Sequence, residues 1–373
     1  MTIFPGAGTI EIRIAVAREI ICSAEIRSTR PVGLTRVFIG REPGDAPLLA
    51  RSLFSLCGAA QAAAASQAVA RAQGKRLGPE EGFGHVLGVL TERAFEALRG
   101  LVLGWPDSDG FHSAQNRAAP HLREAAAAAR VLIAASASGL GRARRQELLA
   151  SQARLTEAAQ SLGLIVQPGV APSQASYFGR LARQCASEKA FACVAPDALT
   201  AADDFEVVAA LRQDPEGFVG APRLSGRRVE TGAYARLGQW AGEGQYPLTP
   251  RLNARLIDIA LSLKGLETAL RLGEAEEVSA GGEAGLDAGF GVVESARGRL
   301  YHLAQITSRG RIGEYRIVAP TEWNFHANGP LVGAALGARL ARGRPARLSM
   351  ERLAALFDPC VGFEVTQKEF TDA

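Results

Sequence analysis

Apolar and polar residues alternate with period two along TIEIRIAV, residues 9–16, which predicts a strand with one buried face. IICSAEIRS reads the same way and LTRVFIG continues in extended fashion, so the pattern predicts a small antiparallel sheet near the start. From Pro47 to Gln73 alanine, leucine and arginine take over; this favours helix and sets Cys57 near one. Leucines at helical intervals predict two more helices, over 121–135 and 143–163, and LNARLIDIALSLKGLETALRLGE predicts a long one ending near Gly273. The stretch from Glu274 to Gly291, rich in glycine and acid, reads as a loop by turn chemistry. Beyond it GVVESARGRLYHLAQI and RIGEYRIVAP alternate like hairpin strands around SRGR, and LVGAALGARLARG and MERLAALFDPC read as helices before a short tail. No repeat and no long linker divides the chain. The expectation is a single domain over residues 1–373, α+β and predominantly helical, with small antiparallel sheet elements.

Composition narrows the function classes. With 47% hydrophobic residues in 373, the chain can bury a sizeable core, and disorder is excluded for the bulk of it. No apolar run approaches the roughly 18 to 20 residues that spanning a bilayer requires, and the first residues lack the pattern of a secretory signal. A net charge of +4 from 42 basic and 38 acidic residues is too balanced for an extended phosphate-binding surface, so nucleic acid is not implied. Five scattered cysteines without a C-x-x-C pair suit a reducing, cytoplasmic setting and argue against a self-contained local zinc site. Gly139 and Gly141 begin a dinucleotide fingerprint, but Arg144 stands at its third glycine. The histidines His85, His112, His121, His302 and His326 form no HExxH and read as structural, and Cys22, Cys185 and Cys193 read as small buried hydrophobes. Arg339, Arg342, Arg344 and Arg347 read as a solvated basic face rather than a dock for an acidic partner.

Two cysteines differ in their surroundings. Cys57 lies in SLCGAAQ and Cys360 in FDPCVGFEV. Together with GREPGDAPLL, ESARGRLYH and RIGEYRIVAPTEWNF, in this order, these segments resemble motifs of the nickel-iron hydrogenase large subunit: R-x-C-G-x-C-x-x-x-H, D-P-C-x-x-C-x-x-H, G-R-x-P-x-D-A, E-A-P-R-G-x-L-x-H and I-x-x-Y-x-x-V-x-P-T-x-W-N. The resemblance covers about the first 75 and the last 85 residues. It implies a long-helix bundle with small sheets and a metal site buried between the N- and C-terminal motifs.

The departures are chemical. In that family four thiolates hold nickel and iron; here the second cysteine of each pair is Ala60 or Phe363, neither of which can donate to a metal. The motif histidines fall on Ala64 and Thr366, and the arginine before the first cysteine falls on Ser55, with Arg51 nearby. The family's R-G-x-E segment falls on Val32 to Thr35, so Thr35 replaces the proton-relaying glutamate, and hydrogen turnover is not expected. Cys57 and Cys360 kept, with two cysteines lost, resembles the hydrogenase expression/formation proteins of the HupK or HoxV type. That resemblance implies a scaffold carrying an Fe(CN)2(CO) unit on Cys57 and Cys360, without nickel. Arg297 and Thr321 would donate to the cyanides and Asp358 would orient Arg297. The implied partners are the hydrogenase large-subunit precursor and a small HypC-type cofactor chaperone. A paralogue of purely structural or interaction role and a divergent mononuclear-metal redox enzyme are the alternatives. For Arg297 the alternative is an ion pair with Glu294 or Asp358, and Trp323 and Asn324 read as mainly structural.

Overall fold

The computed structural model describes residues 8–31, 33–106, 111–137, 142–165, 172–192, 195–238, 248–273, 276–341 and 345–369. Val32, Gly139, Gly141, Cys193, Arg342 and Arg344 lie outside the described residues. Strands β1 (Thr9–Ala17) and β2 (Ile20–Ser28) lead into helices α1 (Ala46–Leu53), α2 (Gly58–Ala72), α3 (Pro79–Leu103), α4 (His112–Ala135), α5 (Arg142–Ser161) and α6 (Tyr177–Ser187). Short elements follow: β3 (Asp197–Ala198), α7 (Asp204–Gln213), α8 (Pro215–Gly220), β4 (Val229–Glu230) and α9 (Ala233–Leu237). Then come the long α10 (Leu248–Leu272), strands β5 (Ser279–Glu283), β6 (Ala288–Ser295), β7 (Gly298–Ile306) and β8 (Ile312–Val318), helices α11 (Pro320–Asn324), α12 (Pro330–Ala335) and α13 (Ala346–Phe357), and strand β9 (Gly362–Glu369). Among the described residues no helix is long and apolar enough to cross a membrane.

The largest core fills the bundle of α3, α4, α5, α10 and α13; periodicity predicts the last four, whereas α3 is not among the expected helices. The β5–β8 sheet, antiparallel throughout, is covered on both faces. Along β7, Leu300 and Ala304 pack on the alanines of α2, while Tyr301 and Leu303 join Val207, Leu211, Phe218 and Trp323 on the other side.

Four readings are corrected. LTRVFIG is not extended: residues 34–38 form a 3-10 turn between Gly33 and Gly40, both at φ +78°, with only Phe38 buried. The glycine-rich stretch before Gly291 is not a loop but contains β5 and the start of β6. Its glycines serve packing, since a Cβ on Gly291 would lie 2.0 Å from the Ala64 carbonyl oxygen and one on Gly289 2.2 Å from the Ala72 nitrogen. The helix read over 331–343 stops at α12, because Gly337 (φ +77°) turns the chain and Ala338 accepts from the Ile21 N–H of β2. Cys22 is exposed on the outer face of β2, its thiol bonded to Ala15 O at 3.3 Å, while Cys185 is buried. The tail after Cys360 forms β9, which joins β1 in parallel register, Ile10 opposite Phe363, in the sheet β2–β1–β9.

Candidate metal-binding site

Cys57 reaches the site through a broken helix. Phe54 and Cys57 leave helical backbone (φ −120° and −147°), and α2 restarts at Gly58 with Cys57 as its N-cap. Glycine is required at 58, where a Cβ would sit 2.9 Å from the Arg51 carbonyl oxygen. The thiol does not cap α2. Instead the Glu92 carboxylate on α3 accepts the N–H groups of Ala59 at 2.6 Å and Ala60 at 2.9 Å. Burial, and then the neighbouring Glu96, push Glu92 up to about 7 against the pull of those bonds.

Cys360 comes from the far end of the chain. After α13, Asp358 adopts a left-handed conformation (φ 52°, ψ 67°) that turns the backbone toward the site. Thr321, in the first turn of α11, donates its hydroxyl to Cys360 Sγ at 3.2 Å and accepts the Cys360 N–H at 3.2 Å. Thr321 is therefore aimed at the sulfur itself.

Charge ties the two halves together. Burial, followed by Cys360 and Glu92, pushes the Cys57 thiol up to about 12, while Arg297 and a hydrogen bond from Gln61 oppose the rise. Burial opposes the charge on Arg297, yet Asp358, Glu96 and both cysteines hold its pKa above the ordinary value. Arg30 is likewise raised, against burial, by Cys360, Glu322 and Cys57, and pairs with Glu322. Two cations thus feel both thiols. Arg297, 5% exposed, donates from Nη2 to Glu96 at 3.1 Å, and its Nε stands 3.6 Å from Asp358 Oδ2. Among the described residues neither Nε nor Nη1 of Arg297 has a hydrogen-bond partner. Glu294 instead takes Arg236 and Arg299. Asp358 also faces Arg255 Nη2 at 3.2 Å, and Gly100 leaves the room: a Cβ there would meet Asp358 Oδ1 at 2.7 Å.

The structure thus brings Cys57, Cys360, Arg297, Thr321 and Asp358 together from four separate segments. The positions of the lost ligands have other occupants. Ala60 is buried in the core under α2, Ala64 lies against β6, and Phe363 packs from β9 onto the helical core. Thr366 is exposed on β9, Thr35 sits on the 3-10 turn, and the Arg51 guanidinium bonds Ile133 O and Ser136 Oγ at the end of α4. Among the described residues no three His, Cys, Asp or Glu side chains are grouped to hold a metal. Trp323 packs edge-on against Phe218, and Asn324 clamps the Thr231 backbone at 2.8 and 3.1 Å.

This chain is 44% identical, over all of both chains, to "Hydrogenase expression/formation protein HupK" of Rhizobium leguminosarum bv. viciae. It belongs to the HupK/HoxV family of hydrogenase expression/formation proteins. HoxV of Cupriavidus necator is 31% identical over 91% of this chain and 92% of its own length. No family model matches the chain. Among solved structures, the [NiFeSe] hydrogenase of Dm. baculatum superposes with a TM-score of 0.66 at 16% identity, covering 92% of this chain and 94% of that one. An NAD+-reducing [NiFe] hydrogenase does so with a TM-score of 0.62, at 16% identity over 92% and 93%. This chain therefore has the hydrogenase large-subunit fold.

Motif reading missed Glu92, Glu96, Arg30 and Gln61. A signal existed for the carboxylates: Glu92 and Glu96 stand four apart, in phase with the apolar face of α3. Arg30, an isolated charge before Pro31, carried none.

Proposed function

We propose that this chain is a non-catalytic scaffold in nickel-iron hydrogenase maturation. It holds an Fe(CN)2(CO) unit on Cys57 and Cys360 and passes it to the large-subunit precursor, receiving it from a small HypC-type cofactor chaperone. One observation carries the reading: two half-buried cysteines share two arginines, one of them with unsatisfied N–H groups. Low-spin iron with strong-field ligands suits soft thiolates, and two bound thiolates add two negative charges for Arg30 and Arg297 to offset. A cyanide nitrogen gives Arg297 Nη1 the acceptor it otherwise lacks. The small Ala60 and the apolar Phe363 provide no bridging thiolate for nickel, which fits transient carriage rather than permanent assembly. Because Cys57 rests as a thiol, loading expels a proton and unloading returns it.

The test is infrared spectroscopy of protein purified anaerobically from cells with an active maturation pathway. Carbonyl and cyanide stretching bands are expected in wild type and lost in both Cys57→Ala and Cys360→Ala. Their absence from wild type refutes iron carriage.

A further inference from the structure

Behind Cys57 lies a line of buried polar groups that the iron reading does not use. Gln61, 1% exposed on the first turn of α2, points Nε2 at Cys57 Sγ, 3.6 Å away, and its Oε1 lies 2.7 Å from His302 Nε2. His302, fully buried on β7, has its Nδ1 2.7 Å from the Tyr315 hydroxyl, and the Tyr315 ring is held by stacking on Phe38 at 4.0 Å. Among the described residues no carboxylate bonds this fully buried imidazole, so it is neutral and has one hydrogen to give. The direction follows from atom types. Tyr315 O–H donates to His302 Nδ1, His302 Nε2–H donates to Gln61 Oε1, and Gln61 Nε2–H donates to the sulfur.

We infer that Gln61, oriented by His302 and Tyr315, is a positioning residue that hydrogen-bonds the Cys57 sulfur and weakens it as a metal donor. The inference rests on the two-cysteine reading above and names what makes the hold releasable. An amide neither gains nor loses a proton near neutral pH, so this bond persists whatever the cargo, and a thiolate lone pair engaged by an N–H donates less to metal.

Cargo-free full-length protein would be titrated with Co(II), reading the near-ultraviolet thiolate-to-cobalt band, while 15N-histidine NMR reports the His302 tautomer, assigned with His302→Gln. The expected results are a neutral His302 with hydrogen on Nε2 and, in Gln61→Met, a band at lower energy with several-fold tighter cobalt binding. Tyr315→Phe, which keeps the ring, moves the band the same way by less. Hydrogen on Nδ1 reverses the chain and overturns the inference. So does an unchanged band with cobalt bound in Gln61→Met or, should that variant not fold, in Tyr315→Phe. A wild type that forms no cobalt-thiolate band at all instead overturns the two-cysteine reading, and the inference with it.

Discussion

Half-buried beside Cys360, the Asp358 carboxylate faces the buried Arg255 at 3.2 Å and Arg297 at 3.6 Å, so its removal leaves two buried guanidiniums short of a counter-charge in a low dielectric. Asp358→Ala is expected to cost about 3–5 kcal/mol in urea unfolding, the usual cost of breaking a buried ion pair. Glu92 makes a different prediction. Its folded value of about 7 lies above the ordinary 4.5, so between the two the folded chain keeps a proton that the unfolded chain has released. Stability from this group is therefore full below the ordinary value and falls as the pH rises through the folded one. His302, driven down to about 3 by burial, works oppositely: its contribution is lost as the pH falls below 6.5. Comparing wild type with Glu92→Gln isolates the carboxyl. The difference should move against wild type by on the order of 3 kcal/mol across the Glu92 window, and a constant difference overturns the assignment. The cysteines and Arg297 were legible because their neighbours form motifs; Glu92 was not, because its partners are backbone N–H groups of a different helix.

Elements were legible where a single periodicity governed them. The α10 helix runs to Leu272, one residue short of the glycine that the pattern names as its end. The glycine-rich β5 and β6 escaped the same logic because composition speaks for turns unless a neighbouring backbone claims the space. Here α2 does, with alanine on its sheet-facing side and glycine opposite. Gly291→Ala is accordingly expected to destabilise the protein by about 1–3 kcal/mol or more, whereas Gly310→Ala, on an open turn, should owe its smaller cost to backbone strain alone. Thermal unfolding of the two variants side by side separates these cases. The 3-10 turn at 34–38 misled for the converse reason: Leu34, Val37 and Ile39 look like strand residues but are exposed, and only Phe38 finds a partner, in Tyr315.

At the level of the whole molecule, the helical bundle was foreseeable and the parallel pairing of β1 with β9 was not, since nothing local to either strand marks its partner. That pairing anchors the segment just after Cys360. Deleting residues 362–373 should leave helical circular dichroism nearly intact while abolishing the infrared bands; bands that survive would show that Cys360 needs no anchor. The same strand sets a schedule. At about 5–20 residues per second on the ribosome, β1 and Cys57 emerge on the order of tens of seconds before β9. Until then Cys57 is displayed without Cys360, so on the two-cysteine reading proposed above a metal fragment met during translation would find half a clasp until the segment around β9 has been made.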